Sequence, residues 1–291
     1  TVGEALNILE GYGDLAANRA RALHLMLEAS RFTFADRNAY LADSDFFDVP
    51  LAGLLSDSFA AERRALIDET HTATSPVPPG DPYDNQKHGG KRRRGSATIS
   101  HPRQSTTHLV VSDRKGNVVS YTFTIESTGG NAIVVPGYGF LMNNELTDFN
   151  FDSTTHPNRV EGGKRPRSSM APTILLDDGQ PFLALGSPGG STIITTVLQI
   201  LFDRLDQGMT LPDAIADPRA SQRNTAATSA EPAFLASALR TQLAARGHTF
   251  SNGGEIGAAT AIEFLGAGRT LAAAEPVRRG KGSAMVANPE P

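Results

Sequence analysis

The chemistry open to this chain starts at Thr106, in the stretch Ser105-Thr106-Thr107-His108-Leu109-Val110-Val111. A pair of small hydroxyl residues opens an apolar strand, directly after a long polar segment poor in strand formers. A chain cut between Ser105 and Thr106 would present a free N-terminal threonine, whose hydroxyl lies beside its own α-amine. That amine can take the hydroxyl proton, so one residue serves as nucleophile and base without a separate histidine. Read alone, the pair is far more often simply β-propensity and turn chemistry at a strand edge.

Three further constellations follow: Asn143-Asn144-Glu145-Leu146-Thr147-Asp148-Phe149, then Lys164-Arg165-Pro166-Arg167-Ser168-Ser169-Met170-Ala171-Pro172-Thr173, then Gly186-Ser187-Pro188-Gly189-Gly190-Ser191. In the last, paired glycines sit where a strand turns into a helix. Backbone can approach a substrate closely there, and amides at a helix N-terminus point toward developing negative charge. That suits an oxyanion hole, and it also suits a plain tight turn. No Gly-Lys-Ser/Thr follows, which argues against a phosphate loop.

With Thr106-Thr107-His108 at their head, the order and content of these motifs resemble the small subunit of the γ-glutamyltranspeptidases, a family of N-terminal-nucleophile hydrolases. The resemblance runs from Thr106 to about Val286. It continues more weakly upstream, where Ala35-Asp36-Arg37 and Pro50-Leu51-Ala52-Gly53-Leu54-Leu55 look like the end of the large subunit. The resemblance implies autocleavage between Ser105 and Thr106, followed by attack of the Thr106 hydroxyl on γ-glutamyl amides such as glutathione. Water or an amino-acid or dipeptide acceptor then releases the ester.

By the same resemblance, Thr124 orients Thr106 and assists the cleavage, and Gly189 and Gly190 supply the oxyanion hole. Glu145 and Asp148 bind the substrate's α-ammonium, while Ser168 and Ser169 donate to its α-carboxylate. Glu126 stands at a substrate-contacting position where an asparagine is common. The stretch between Asp148 and Lys164 is shorter than in members with a lid loop over the site. The family's carboxylate-clamping arginine, like most of the large subunit, lies upstream of this chain. That upstream segment is therefore an expected partner, and an extracytoplasmic setting follows from the resemblance alone.

Two rivals stay open. A cephalosporin-acylase-like amidohydrolase on the same scaffold would take acyl groups without an α-amine, and retention of Glu145 and Asp148 argues against it. A non-catalytic fragment or unprocessed precursor would fold and remain inert.

The elements that must position these residues read as an α+β fold, and the resemblance implies a four-layer α-β-β-α sandwich. Residues 1–69 read as a helical segment, with helices over 13–40 and over 56–68, the latter capped by Ser56. Residues 70–105 carry prolines, glycines and the run Lys91-Arg92-Arg93-Arg94, and read as a flexible connector. Residues 106–291 form the catalytic portion. In it, 107–113 and 117–124 read as a hairpin, and 132–135 and 139–142 as short strands. A second hairpin, 173–176 with 182–185, turns at Asp177-Asp178-Gly179-Gln180. Helices are expected over 191–207, stopped by Gly208, and over 211–216 and 233–245, with glycine-punctuated strands over 257–286.

The bulk numbers agree with a soluble, core-forming chain: 291 residues, 39% hydrophobic and 20% charged. A net charge of -4 gives no reason to expect nucleic acid. Without cysteine, thiolate chemistry, disulfides and Cys-based zinc sites are excluded. The seven histidines show no ligand spacing, so neither a metal nor another cofactor is expected. No apolar run approaches a membrane span, and the chain opens directly in helix-like sequence without a signal-peptide pattern.

Overall fold

In the computed structural model, which describes residues 1–85 and 106–287, the chain begins with four helices. These are α1 (Val2–Glu10), α2 (Arg19–Tyr40), α3 (Leu51–Leu54) and α4 (Asp57–Arg64). There follow strands β1 (Thr106–Ser112), β2 (Val118–Thr124), β3 (Thr173–Asp177) and β4 (Gln180–Gly186), then helices α5 (Thr192–Leu205) and α6 (Leu211–Ala216). The remainder is β5 (Ala220–Ser221), β6 (Thr228–Ala230), α7 (Pro232–Leu235), α8 (Ala238–Ala244), β7 (Phe250–Asn252), β8 (Thr260–Phe264) and β9 (Thr270–Ala274). The class is α+β. Among the described residues, one unit holds 1–85, 145–168 and 220–254, and a second holds 106–144, 169–219 and 255–287. Ser105 and the basic run 91–94 lie outside the described residues.

The first unit is built on α2. The Asn18 side chain accepts the Arg21 amide and starts the helix. Every residue of α2 except Arg19 and Arg21 is buried, so the helix has no solvent face and its apolar spacing is irregular. Its charges are paired inside, Arg31 with Glu28 at 3.1 Å and Asp36 with Arg63 of α4 at 2.9 Å. Here the helix starts later than residue 13, because Asp14 Oδ1 accepts the amides of Ala16 and Ala17 and holds a turn. Helix α4 begins after Ser56 as expected, with Ser56 Oγ accepting the Phe59 amide. It ends at Arg64 rather than 68; beyond it the Asp68 carboxylate accepts the Thr70 and His71 amides, a non-helical arrangement.

Residues 70–85, the start of the expected connector, are anchored chain. The Thr72 amide donates to Arg246 O at 2.8 Å, the Gly80 amide donates to Asp36 Oδ1, and Tyr83 is buried against Tyr40. Strands β5, β6 and β7 form a small sheet, β6 and β7 running parallel. The helix expected over 233–245 is divided into α7 and α8 where Ser237 caps the second.

In the second unit β3, β4, β8 and β9 form a sheet in that order, α5 and α6 pack on it, and the β1–β2 hairpin packs against β4 and β8. The β3–β4 turn has Asp178 and Gly179 at φ 45° and 77°, the doubly left-handed turn that matches strand twist. Residues 132–135 and 139–142 do not form strands. Only a bridge between Val134 and Leu141 remains, as Gly137 and Gly139 at φ near 80° turn the chain out of extension. Within 257–286 the strands are β8 and β9 alone. No helix among the described residues is long and apolar enough to cross a membrane.

The hairpin alternates in an unusual sense. Its inward positions are mostly polar: His108 and Thr122 are buried, Thr106, Ser120 and Thr124 are half-buried, and only Val110 and Val118 interrupt them. Its outward positions are apolar, with Leu109, Val111, Val119, Tyr121 and Phe123 between 38% and 55% exposed. Tyr121 and Phe123 stack there at 5.2 Å.

Candidate active site

Antiparallel register sets Thr106 opposite Thr124 as the first pair of the hairpin. Their hydroxyl oxygens lie 2.8 Å apart. The Glu126 amide donates to Thr124 Oγ1 at 2.8 Å, which leaves the Thr124 proton and one lone pair for the bond with Thr106. With Thr124 as donor, the Thr106 hydroxyl keeps its own proton available for transfer to a base. Glu126 sits at φ 71°, in the left-handed region that asparagine adopts more readily than glutamate. Its carboxylate accepts from Ser127 Oγ and from Asn144 Nδ2 at 2.6 Å, which ties the Asn143-Asn144 motif to the nucleophile strand.

His108, two residues beyond Thr106, seats the strand. Its Nδ1 lies 2.8 Å from Thr122 Oγ1, and its ring occupies the space over Gly186, where a Cβ would stand 2.3 Å from the ring. Ser120 Oγ donates to Leu185 O at 2.9 Å and fastens the partner strand to β4. Burial pushes the His108 pKa down to about 4. A folded-state pKa below the unfolded value of about 6.5 means the unfolded chain binds more protons in between, so stability falls as pH drops from about 6.5 toward 4. Thermal unfolding at pH 4.5 and pH 7 checks this: His108→Gln is expected to reduce the loss seen in the parent on acidification. An unchanged pH response in the variant would show that His108 is not the group responsible.

At the β4–α5 junction Gly189 has φ 149° and Gly190 φ 53°. A Cβ on Gly189 would lie 2.8 Å from Thr192 Oγ1, so both backbone angle and space require glycine. Gly189 O accepts from the Thr192 amide and from Thr192 Oγ1 at 2.7 Å, which fixes the turn ahead of α5. A cavity of about 450 Å³ opens along β1, and Thr106, His108, Pro188, Ala258 and Thr260 are among its lining residues. The glycine turn therefore follows directly on a residue that shares this cavity with Thr106. Ser169 belongs to the same unit and is half-buried.

Glu145, Asp148 and Ser168 belong to the other unit. Glu145 and Asp148 begin and end one short 3-10 turn and are half-buried, whereas Ser168 is exposed. Their surroundings hold Arg37 and Arg167, which the sequence motifs contained without a role, and Asn158, which no motif contained. Arg37 of α2 donates to Ser168 O at 3.0 Å. Burial foremost, and then the Arg167 charge, pull the Arg37 pKa down to about 9, while Asp148 acts in the opposite direction. Arg167 is likewise lowered by burial and supported by Asp148. Asn158 binds the loop together, its Nδ2 donating to Asp148 O at 2.7 Å and its Oδ1 accepting the Arg167 amide. Asp148 is thus a carboxylate held among arginines, and the signal for it was the Ala35-Asp36-Arg37 motif.

His24, Glu28 and His248 are the one group among the described residues whose donor atoms fall within 4.8 Å of one another. Most of their polar atoms are already engaged, the buried His248 Nδ1 being the exception. His24 bonds Asp68 O and His248, and Glu28 accepts from Arg31, Thr72 and the Ala73 amide.

The sequence pattern of the family described as Gamma-glutamyltranspeptidase matches residues 1–285. The glutathione hydrolase proenzyme of Bacillus subtilis (strain 168) is 43% identical over 195 residues, covering 67% of this chain and 33% of that protein. The chain therefore spans about a third of the length of such curated relatives. Among solved structures, γ-glutamyltranspeptidase from Pseudomonas nitroreducens aligns with TM-score 0.58 at 33% identity, over 62% of this chain and all of that one. A cephalosporin acylase from Bacillus halodurans aligns with TM-score 0.82 at 26% identity, over 99% of this chain and 49% of that one. From the Thr106–Thr124 pair to the glycine turn, the motifs occur in a sequence that this pattern matches almost end to end: the chain belongs to the γ-glutamyltranspeptidase family.

Proposed function

We propose that the chain supplies the C-terminal, nucleophile-bearing part of an enzyme that hydrolyses or transfers γ-glutamyl groups of glutathione-like amides. The 2.8 Å bond between Thr106 Oγ1 and Thr124 Oγ1 at the head of β1 carries this reading. After cleavage between Ser105 and Thr106, the Thr106 hydroxyl attacks the γ-carbonyl and passes its proton to the new α-amine, which returns it to the leaving amine. Amides at Gly189 and Gly190 meet the oxyanion; losing one such donor typically costs about 3 kcal/mol in the barrier. Asp148, with Glu145, takes the α-ammonium, and Ser168 and Ser169 take the α-carboxylate. The upstream segment completes the site and the four-layer sandwich.

The close likeness in fold to a cephalosporin acylase gives the amidohydrolase reading a specific footing. The full-length polypeptide that contains this chain should release p-nitroaniline from γ-glutamyl-p-nitroanilide much faster than from glutaryl-p-nitroanilide, which lacks the amine. The reverse preference would favour the acylase.

The stretch after Asp148 bears on the fate of the ester. The Asn150 amide donates to Asn158 O at 2.7 Å, His156 Nε2 bonds Asn38 O at 3.0 Å, and Asn158 is fully buried. From its shortness we expect this segment to supply no lid, and lids suppress hydrolysis by excluding water. Hydrolysis is therefore expected to compete strongly with transfer when glycylglycine is varied at fixed donor. Near-complete transfer at low glycylglycine would contradict the open pocket.

A further inference from the structure

Glycine lets the β4–α5 turn adopt φ of 149° and 53° at Gly189 and Gly190, and the same freedom lets the peptide planes around them rotate. An oxyanion donor is effective only when its N–H is aimed before the charge develops. In a trans peptide the N–H points opposite to the carbonyl of the same unit, and both units here are trans. Whatever holds Pro188 O therefore aims the Gly189 amide, and whatever holds Gly189 O aims the Gly190 amide.

Two hydroxyls hold these carbonyls. Ser187 Oγ donates to Pro188 O at 2.6 Å, and Thr192 Oγ1 donates to Gly189 O at 2.7 Å. Ser187 is fully buried and Thr192 is buried, so water does not compete for either bond. The Ala258 amide donates to Ser187 Oγ at 3.0 Å, which leaves the hydroxyl proton for Pro188 O. Gly257, at φ 72°, closes over this hydroxyl: a Cβ there would stand 2.7 Å from Ser187 Oγ. Thr192 acts together with its own amide, which donates to Gly189 O at 3.1 Å. The turn is thus clamped from the end of β4, from the first turn of α5 and from the segment ahead of β8. A carbonyl that accepts such a bond also polarises its peptide unit and makes the N–H a stronger donor.

We infer that Ser187 and Thr192 are positioning residues for the oxyanion donors, an inference that rests on the acyl-transfer reaction proposed above. Neither touches substrate. Ser187 fixes the plane that carries the Gly189 N–H, and Thr192 fixes the plane that carries the Gly190 N–H. When the Thr106 hydroxyl adds to the carbonyl, negative charge appears on the substrate oxygen, and neither amide has to turn to meet it. The uncharged carbonyl of the bound substrate gains less from the same aim, so the contribution falls on kcat and not on KM.

The test uses the full-length polypeptide with γ-glutamyl-p-nitroanilide, with kcat counted per chain cut before Thr106, as read by intact mass. Thr192→Val keeps the branched shape and removes the hydroxyl, and its kcat is expected to fall about tenfold, the worth of one hydrogen bond, with KM within about twofold of the parent. Thr192→Ser restores the hydroxyl and is expected to stay within about threefold of the parent in kcat. Ser187→Ala should show the same split as Thr192→Val. Damage to the fold alone would lower Tm and the amount of active chain, without separating kcat from KM and without rescue by serine. A parent-like kcat in Thr192→Val, a rise confined to KM, or a Thr192→Ser variant as impaired as Thr192→Val overturns the positioning role and leaves the γ-glutamyl reading intact. Failure of both Thr192→Val and Ser187→Ala to fold overturns a role confined to positioning. A parent that prefers glutaryl-p-nitroanilide overturns the γ-glutamyl reading, and the same split is then read on the glutaryl donor. Release of p-nitroaniline from neither donor overturns both.

Discussion

Thr106→Ala is expected to leave the polypeptide whole, whereas the parent resolves into two chains, the C-terminal one beginning Thr106-Thr107-His108. The hydroxyl of Thr106 attacks the Ser105 carbonyl, the acyl group moves from nitrogen to oxygen, and water then opens the ester. Alanine removes the only atom that can make that ester. Thr124→Ala is expected to slow the cleavage about tenfold, because it deletes a hydrogen bond of about 1–1.5 kcal/mol to the attacking oxygen. Intact mass and N-terminal sequencing read both results. A cut at another position, or cleavage of the alanine variant before residue 106, would remove Thr106 from the role of nucleophile and with it the mechanism proposed here.

The second large effect concerns Asp148. Asp148→Ala should lower kcat/KM for a γ-glutamyl substrate by several kcal/mol, because a partly desolvated partner of the α-ammonium is lost. The arginines around Asp148 require a control. Removing the carboxylate also strips Arg37 and Arg167 of the charge that supports them, so some thermal stability should go with it. A glutaryl substrate, which carries no amine, separates the two contributions. The variant should lose much more on the γ-glutamyl substrate than on the glutaryl one. Equal losses would mean that Asp148 organises the loop through its arginines and does not touch substrate.

Local chemistry was readable from the residues and long-range pairing was not. Ser56 as a cap, Asp178-Gly179 as a hairpin turn and the 107–124 hairpin are each present, whereas α5 ends at Leu205, short of the expected stop at Gly208. The hairpin also explains why Thr124 could be named, since its register alone returns it to Thr106. By contrast, α2 gave a weak periodic signal because it is buried all round, with charges whose partners come from elsewhere in the chain. Arg37 meets Ser168 across 131 positions, a pairing that no spacing rule contains. Strands β5 to β7 are two or three residues long, and β6 pairs in parallel with a strand twenty residues on, so neither alternation nor a turn motif marks them. The two left-handed residues at 279 and 281 are an arginine and a lysine, types that give no warning of such a backbone.

The outward apolar face of the β1–β2 hairpin constrains anyone who wishes to alter this protein. A redesign guided by exposure would begin by turning Leu109, Val111, Val119, Tyr121 and Phe123 into charged residues, and one guided by burial would turn His108 and Thr122 into aliphatic ones. Both instincts are wrong for this strand pair. Its polar side fastens it to β4 and aligns Thr106, and its apolar side exposes five large side chains. The charge of this hairpin sits at its tip, on the exposed Asp113, Arg114 and Lys115, where the strands have already ended.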